Sequence, residues 1–423
     1  MALSPLFLLI AFIVMFTIYS VDKTDNEPNL SLTVAFLFSS VYAIIISGDI
    51  SMKKRIDTFN KGAGSQNLML MLWIYVLAGA FAASAKNMGA INATVNIAIN
   101  YLPTNLLLPG LFLAACFISV SIGTSVGTVV ALVPIAAGVA HSTGSSIALL
   151  TAVVVGGAYF GDNLSFISDT TVVATQTQGC NMSDKFRVNS QIVMPAALVV
   201  LAIYAVMGRG LSAPTNVEEV EFYKVIPYLV VLVTAIAGMN VMAVLTLGLA
   251  ICGVIGLISG DYTVTGWFAA MGDGVLGMGE LVIIAMMAGG MLEIIRENGG
   301  IDFIIDRLTA HVNDKRGAEL AIAALVSFVN ICTANNTVAI LTVGSISKKI
   351  GDQYGVDNRK AASILDTFSC CVQGLLPYGV QLLLAAGLAG INPVQIIPWL
   401  FYPMAIGLAA FLAIIIRYPK KYS

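Results

Sequence analysis

The stretch Gly156-Gly157-Ala158-Tyr159-Phe160-Gly161-Asp162-Asn163-Leu164-Ser165-Phe166-Ile167-Ser168-Asp169-Thr170-Thr171 lies inside an apolar run, with residues 148–155 before it and Val172-Val173-Ala174 after it. Two carboxylates, an amide and several hydroxyls are out of place in lipid. A charge at the bilayer centre costs about 3 kcal/mol or more, so it faces protein, water or an ion. The glycines permit an unwound backbone, whose freed carbonyls are tolerated only where they line a cavity. The stretch reads as half of an ion or substrate site, set in a broken membrane-spanning helix.

Composition fixes the surroundings of that site. The chain has 423 residues, 58% of them hydrophobic and only 10% charged, against about 25% charged in a soluble domain. Nearly every long segment can bury itself in lipid. This is an all-α polytopic membrane protein with no room for a sizeable soluble domain. Its first partner is the lipid bilayer, and a net charge of -2 argues against nucleic acid. Cys116, Cys180, Cys252, Cys332, Cys370 and Cys371 lie mostly inside apolar runs and read as packing residues. His141 and His311 are the only histidines. With no His-Glu-x-x-His or protease motif, neither an enzyme nor a cofactor is expected. Residues 1–20 lack the basic start of a signal peptide and read as the first span.

Apolar spans fall at about 5–19, 32–47, 68–85, 192–207, 225–238, 241–258, 281–295 and 396–416. Two more are broken: 146–178, which holds the opening stretch, and 361–388, which holds Asp366. Two double-length segments carry polar tips and read as re-entrant helical hairpins. In 106–140 the tip is Gly123-Thr124-Ser125-Val126-Gly127-Thr128, and in 318–348 it is Thr333-Ala334-Asn335-Asn336-Thr337. The count is ten spans and two hairpins. Loops with Lys53-Lys54-Arg55 and Lys61, with Lys185 and Arg187, with Arg307, Lys315 and Arg316, and with Lys348, Lys349, Arg359 and Lys360 fall on one side. The acidic 22–29, the loop with Glu218, Glu219 and Glu221, the segment 87–105 and the Lys- and Arg-free 261–279 fall on the other. By the positive-inside rule the basic side and both termini are cytoplasmic.

An internal repeat underlies this layout. Residues 78–91 (AGAFAASAKNMGAI) match 288–301 (AGGMLEIIRENGGI) without a gap, at an offset of 210 that also sets Ser125 on Asn335. Ile46-Ser47-Gly48-Asp49 matches Ile258-Ser259-Gly260-Asp261, and Pro195 matches Pro403, at offsets of 212 and 208. The copies are 31–210 and 241–416, joined by 211–240, with 1–30 ahead and the basic tail 417–423 behind. The span at 68–85 starts from a basic loop and the span at 281–295 from the opposite side, so the copies are inverted. Inverted repeats with hairpins and broken helices mark secondary transporters, with the site at the repeat interface.

Gly161-Asp162-Asn163-Leu164-Ser165, followed by Ser168-Asp169-Thr170-Thr171, resembles the NhaC-type Na+/H+ antiporter family, as does Gly123-Thr124-Ser125 with Gly127-Thr128. Ile364-Leu365-Asp366-Thr367-Phe368-Ser369, with Gln373-Gly374, Pro377-Tyr378-Gly379 and Gln381, is similar to the family's second-half signature. Phe166 stands where the family commonly has proline. The resemblance implies a member of the ion transporter superfamily in a bacterial cytoplasmic membrane that couples Na+ and H+ and whose hairpin tips help bind ion and substrate. It also implies relatives that exchange organic acids such as malate and lactate, and relatives that form homodimers.

Na+ is a hard cation and takes oxygen ligands. The candidate cation and proton ligands are Asp162, Asp169, Asp366, Asn163, Ser165, Ser168, Thr170 and Thr367. The hairpin tips offer Gly123, Thr124, Ser125, Thr128, Asn335, Asn336 and Thr337, and Ser369, Gln373 and Gln381 are candidate substrate contacts. A carboxylate in a low-dielectric cavity takes up a proton more readily, and a bound cation opposes this, so one Asp can hold either Na+ or H+. Each candidate has a structural alternative. Asp162 could be a buried acid bonded to Ser or Thr, Asp169 a helix cap, Asp366 the partner of Arg359 or Lys360, and Gln373 and Gln381 helix-packing amides. Coupled transport of a small organic acid or amino acid is the second functional reading, although neither tip carries an Arg or Lys to clamp a dianion. A channel has no need of two inverted halves with unwound midpoints.

The charge map generates a direct expectation. Single cysteines at Lys61 and Gly279 should label from opposite sides of the membrane, and labelling from the same side would contradict the inverted repeat.

Overall fold

In an apolar medium the backbone must satisfy its own hydrogen bonds, and the chain does so with helices. The computed structural model describes residues 2–21, 32–47, 51–101, 103–166, 168–210, 221–309 and 312–422, and among these the regular structure is entirely helical. The acidic turn 22–29, Gly48, Asp49, Glu218, Glu219 and His311 lie outside the described residues.

The first half contains α1 (Ser4–Val21), α2 (Leu32–Ile46), α3 (Met52–Ala63), α4 (Gln66–Asn87) and α5 (Ala90–Tyr101). It continues through α6 (Leu107–Ile122), α7 (Ser125–Thr143), α8 (Ile147–Leu164), α9 (Asp169–Gln178) and α10 (Met182–Gly208). The second half contains α11 (Ile226–Ile236), α12 (Val241–Ser259), α13 (Val264–Gly277), α14 (Gly279–Glu297) and α15 (Gly300–Thr309). Then come α16 (Lys315–Thr333), α17 (Asn336–Tyr354), α18 (Asn358–Leu375), α19 (Val380–Ala389), α20 (Pro393–Ile396) and α21 (Phe401–Ile415). Among the described residues nine helical segments are long and apolar enough to cross a membrane. A tenth arises if Pro393–Trp399 and Phe401–Ile415, bent by 54°, form one span. The apolar helices Ser4–Ile13, Leu32–Ile46 and Phe222–Ile236 are shorter.

The contacts between the halves are reciprocal. Helix α3 packs on α14 and its counterpart α13 on α4; α2 packs on α14 and α12 on α4; α9 packs on α17 and α19 on α7. Such an exchange of partners is the signature of a two-fold relation. Small residues let the paired backbones touch. A Cβ on Gly62 of α3 would lie 2.3 Å from the Gly289 carbonyl oxygen of α14, and one on Gly79 of α4 would lie 2.3 Å from the Gly274 carbonyl oxygen of α13. Close backbone approach through small residues is how helices gain packing where lipid offers no hydrophobic drive.

Three features depart from the sequence reading. The basic loop at 53–61 and the connections at 87–105 and 261–279 contain helices α3, α5 and α13. In α3 the exposed Lys53, Lys54 and Lys61 and the half-buried Arg55 mask in the sequence a face that carries Phe59 against Gly290 and Gly62 against Gly289. The loop assigned to Lys185 and Arg187 is the first two turns of α10, and Lys185 is buried. Finally, Gly156 and Gly157 are helical rather than unwound. They serve close packing instead, since a Cβ on Gly157 would meet Ala115 Cβ at 2.5 Å.

The reciprocal glycine contacts set a stability test. Gly79→Ala forces a Cβ into the α13 backbone and should destabilise the protein by about 1–3 kcal/mol. Gly272→Ala, at a position with open space around it, should be neutral or gain up to about 1 kcal/mol of helix propensity. Thermal melts of the purified variants check the difference, and equal Tm values would contradict it.

Candidate ion-binding site

Four local irregularities build the site, two in each half. Between α6 and α7 the chain turns on Gly123, left-handed at φ 75°, and the extended Thr124 at φ -145°. Between α16 and α17 it turns on Ala334 at φ 49° and Asn335 at φ -149°. The same turn thus carries glycine in one copy and, in the other, an alanine in a conformation that disfavours L side chains. The broken spans open at 165–168, between α8 and α9, and at 376–379, between α18 and α19. Each turn and each break leaves main-chain groups without helical partners.

Those groups are satisfied by one another's side chains. Helix α8 lies so close to α6 that a Cβ on Gly161 would fall 2.0 Å from Ser119 Oγ, and Ser119 Oγ donates to the Ala158 carbonyl at 2.6 Å. This contact carries Asp162 to the first turn of α7. The Ser125 backbone N–H donates to Asp162 Oδ1 at 2.8 Å and its hydroxyl to Asp162 Oδ2. A carboxylate at a helix N-terminus is favoured by the unpaired N–H groups and the helix dipole. The Asp162 carbonyl accepts from Thr170 Oγ1 at 3.1 Å across the break. On the other side Gln381 Nε2 donates to Ser125 Oγ at 3.0 Å, and Gln373 Nε2 donates to Gln381 Oε1 at 3.2 Å and to the Ala334 carbonyl at 2.9 Å. A continuous polar chain therefore joins both tips and both breaks.

A cavity of about 110 Å³ lies at this junction. Gly123, Thr124 and Ser125 line it from the first tip, and Asn335, Asn336 and Thr337 from the second. Asp162, Ser168, Asp169 and Thr170 come from the first broken span, and Gln373 and Gln381 from the second. Asp162 is only 5% exposed, whereas Asp169 is exposed. Gln373 Oε1 and Asn336 Nδ2, both buried at this cavity, have no hydrogen-bond partner. Met71, Asn335 and Val380 also border a larger cavity of about 650 Å³, which reaches Lys61, Glu293 and Arg296 at its far end.

The remaining candidates sit elsewhere. Thr128 Oγ1 donates to the Thr124 carbonyl at 3.1 Å and Ser165 Oγ to the Val120 carbonyl at 2.8 Å, both holding the turn and break in shape. Ser369 Oγ donates to the Asp366 carbonyl at 2.9 Å, within its own helix. Asn163, Asp366 and Thr367 belong to a second buried cluster. There Asn163 Nδ2 donates to Thr367 Oγ1 at 3.3 Å, and Asp366 pairs with Lys185. Asp366 does not pair with Arg359 or Lys360, which bind Asp357 and Glu319 instead.

Sequence reasoning missed Lys185, Asn189 and Ser363. Asn189 Nδ2 donates to the Asn163 carbonyl at 3.0 Å and to Asp366 Oδ2 at 3.3 Å, and Ser363 Oγ donates to Asn189 Oδ1. The available signal was the i, i+4 spacing of Lys185 and Asn189, which puts both on one face at the start of an apolar helix.

The fold and the site define a polytopic helical membrane protein with a polar junction drawn from both halves of the chain. The model of the Na+/H+ antiporter family matches residues 1–209 and 211–420. The chain belongs to this family. It is 25% identical to the Na+/H+ antiporter NhaC of Bacillus subtilis over 85% of each chain. It is 22% identical to the NhaC of Alkalihalophilus pseudofirmus over 97% of this chain and 94% of that one. The malate-2H+/Na+-lactate antiporter of Bacillus subtilis is 21% identical over 98% of this chain and 93% of its own. Among solved structures, the YdaH transporter of Alcanivorax borkumensis aligns with 98% of this chain and 99% of its own at 12% identity and a TM-score of 0.41.

The Ser125 hydroxyl joins the halves, because it donates to Asp162 and accepts from Gln381. Ser125→Ala should leave the Gln381 amide without its acceptor and cost about 1–3 kcal/mol. Thermal melting checks this, and an unchanged Tm would show that the junction does not depend on that hydroxyl.

Proposed function

We propose that the chain exchanges Na+ for H+ by competition at the Asp162 carboxylate. The observation that carries this reading is the placement of Asp162. It is buried at the wall of a small cavity, held by two donors from one residue, and among the described residues it has no cationic partner. Hydroxyl, amide and carbonyl oxygens surround it, which is the ligand chemistry of a hard monovalent cation. Ser168, Thr170 and Gln373 line the same cavity and would share an ion with it, and Asp169 stands at the more exposed edge. A single carboxylate holds either a proton or a cation, so one displaces the other. The larger cavity offers the ion a path toward the Lys61 and Arg296 end, which the positive-inside rule makes cytoplasmic.

A second reading is exchange of a small organic acid. The N-termini of α7 and α17 both meet the cavity, a geometry that favours an anionic group. The unpartnered Asn336 Nδ2 would donate to a carboxylate.

Reconstitution with an interior pH dye separates the readings. Asp162→Asn keeps the shape, removes the titrating group and weakens the ligand. It should lose Na+-driven proton movement at least about 100-fold, in the range set by groups acting directly on the transferred proton, while still inserting and folding. Exchange at the wild-type rate would move the coupling role to Asp169 or Asp366. A wild-type protein that moved lactate or an amino acid but no protons against Na+ would establish the second reading in place of the first.

A further inference from the structure

Beside the exchange site lies a buried charge that the proposed mechanism does not use. Lys185 is 1% exposed and Asp366 fully buried. The Lys185 ammonium donates to the Asn163 carbonyl at 2.6 Å, to Thr171 Oγ1 at 2.8 Å and to Asp366 Oδ2. An ammonium has three donors, and here each meets an oxygen from a different helix: α8, α9 and α18. By contrast, the other deeply buried lysine, Lys360, pairs with Glu319 Oε2 at 3.1 Å.

The oxygens around Lys185 are a carbonyl, a hydroxyl and a carboxylate, the set that a hard cation takes. The Asn163 carbonyl is among the last four of α8, so it lacks a helical partner and sits at the negative end of the helix dipole. Asn189 braces the cup by donating to the same carbonyl and the same carboxylate oxygen. Everything at this point favours a positive charge, and α10 supplies one.

We propose that Asn163 O, Thr171 Oγ1 and Asp366 Oδ2 form a second monovalent-cation site whose resident cation is the Lys185 ammonium. The chain thereby carries one of its cations covalently. Asp366 stays compensated throughout the cycle, and a second Na+ is kept from entering beside the one at Asp162. Lys185 is a positioning residue in this account. The site it fills does not depend on which solute Asp162 exchanges.

Removing the ammonium should open the cup to Na+. Lys185→Met keeps the length of the side chain and removes its charge. The purified full chain in detergent is melted in choline chloride and in sodium chloride, beside wild type and Lys185→Met/Asp366→Asn, in which the uncompensated carboxylate is also gone. The expected result is that Lys185→Met is less stable than wild type in choline and gains more Tm from Na+ than wild type does. The double variant should show only the wild-type gain. Equilibrium binding of radiolabelled Na+ should rise by one ion per chain in Lys185→Met alone. A Na+ response no larger than that of wild type, or a Lys185→Met protein that fails to fold in sodium chloride, would overturn the proposal. Loss of exchange in Asp162→Asn leaves this readout untouched, so the two ideas fail separately.

Discussion

A helix that stops inside an apolar interior exposes carbonyls and N–H groups that water does not reach, and each costs several kcal/mol if left alone. Two hairpin turns and two broken spans create four such places in this chain. They are affordable only because they are brought together. Asp162 takes the N-terminus of α7, Thr170 takes the Asp162 carbonyl, Gln373 takes the Ala334 carbonyl, and Gln381 ties the two sets through Ser125. The polar junction is therefore what the breaks require, and in the proposed exchange it is also where the ion is held.

Bringing the breaks together depends on the frame around them. The halves share backbone contacts at Gly62 with Gly289 and at Gly79 with Gly274, and α9 with α17 and α19 with α7 cross between them. In the proposed exchange this frame would rock about the junction, the motion by which inverted repeats expose a site to alternate sides.

Much of this was legible in the sequence. The interrupted polarity of 156–171 and 366–381 and the two tips follow from polar residues that apolar runs do not otherwise tolerate, and the offset near 210 from the match of 78–91 with 288–301. The location of the first break was less legible, because glycine serves an unwound backbone and close helix packing equally. Gly157 and Gly161 do the second, and the chain opens only at 165–168. Lys185 was read as a loop charge marking the cytoplasmic side. A single lysine near the start of an apolar helix carries no sequence sign of the carboxylate it meets, since Asp366 lies in the other half. The helix α3 was hidden for a related reason: its lysines dominate its composition while Phe59 and Gly62 do its packing.

The central claim is that Na+ and H+ compete for one buried carboxylate. The most direct measurement is the apparent Na+ affinity of the wild-type protein across a pH series in proteoliposomes. If a single group holds either ion, linkage requires the affinity to be constant at high pH and to fall by about tenfold per pH unit once the proton dominates. An apparent Na+ affinity that stayed the same across the whole series would contradict competition at Asp162.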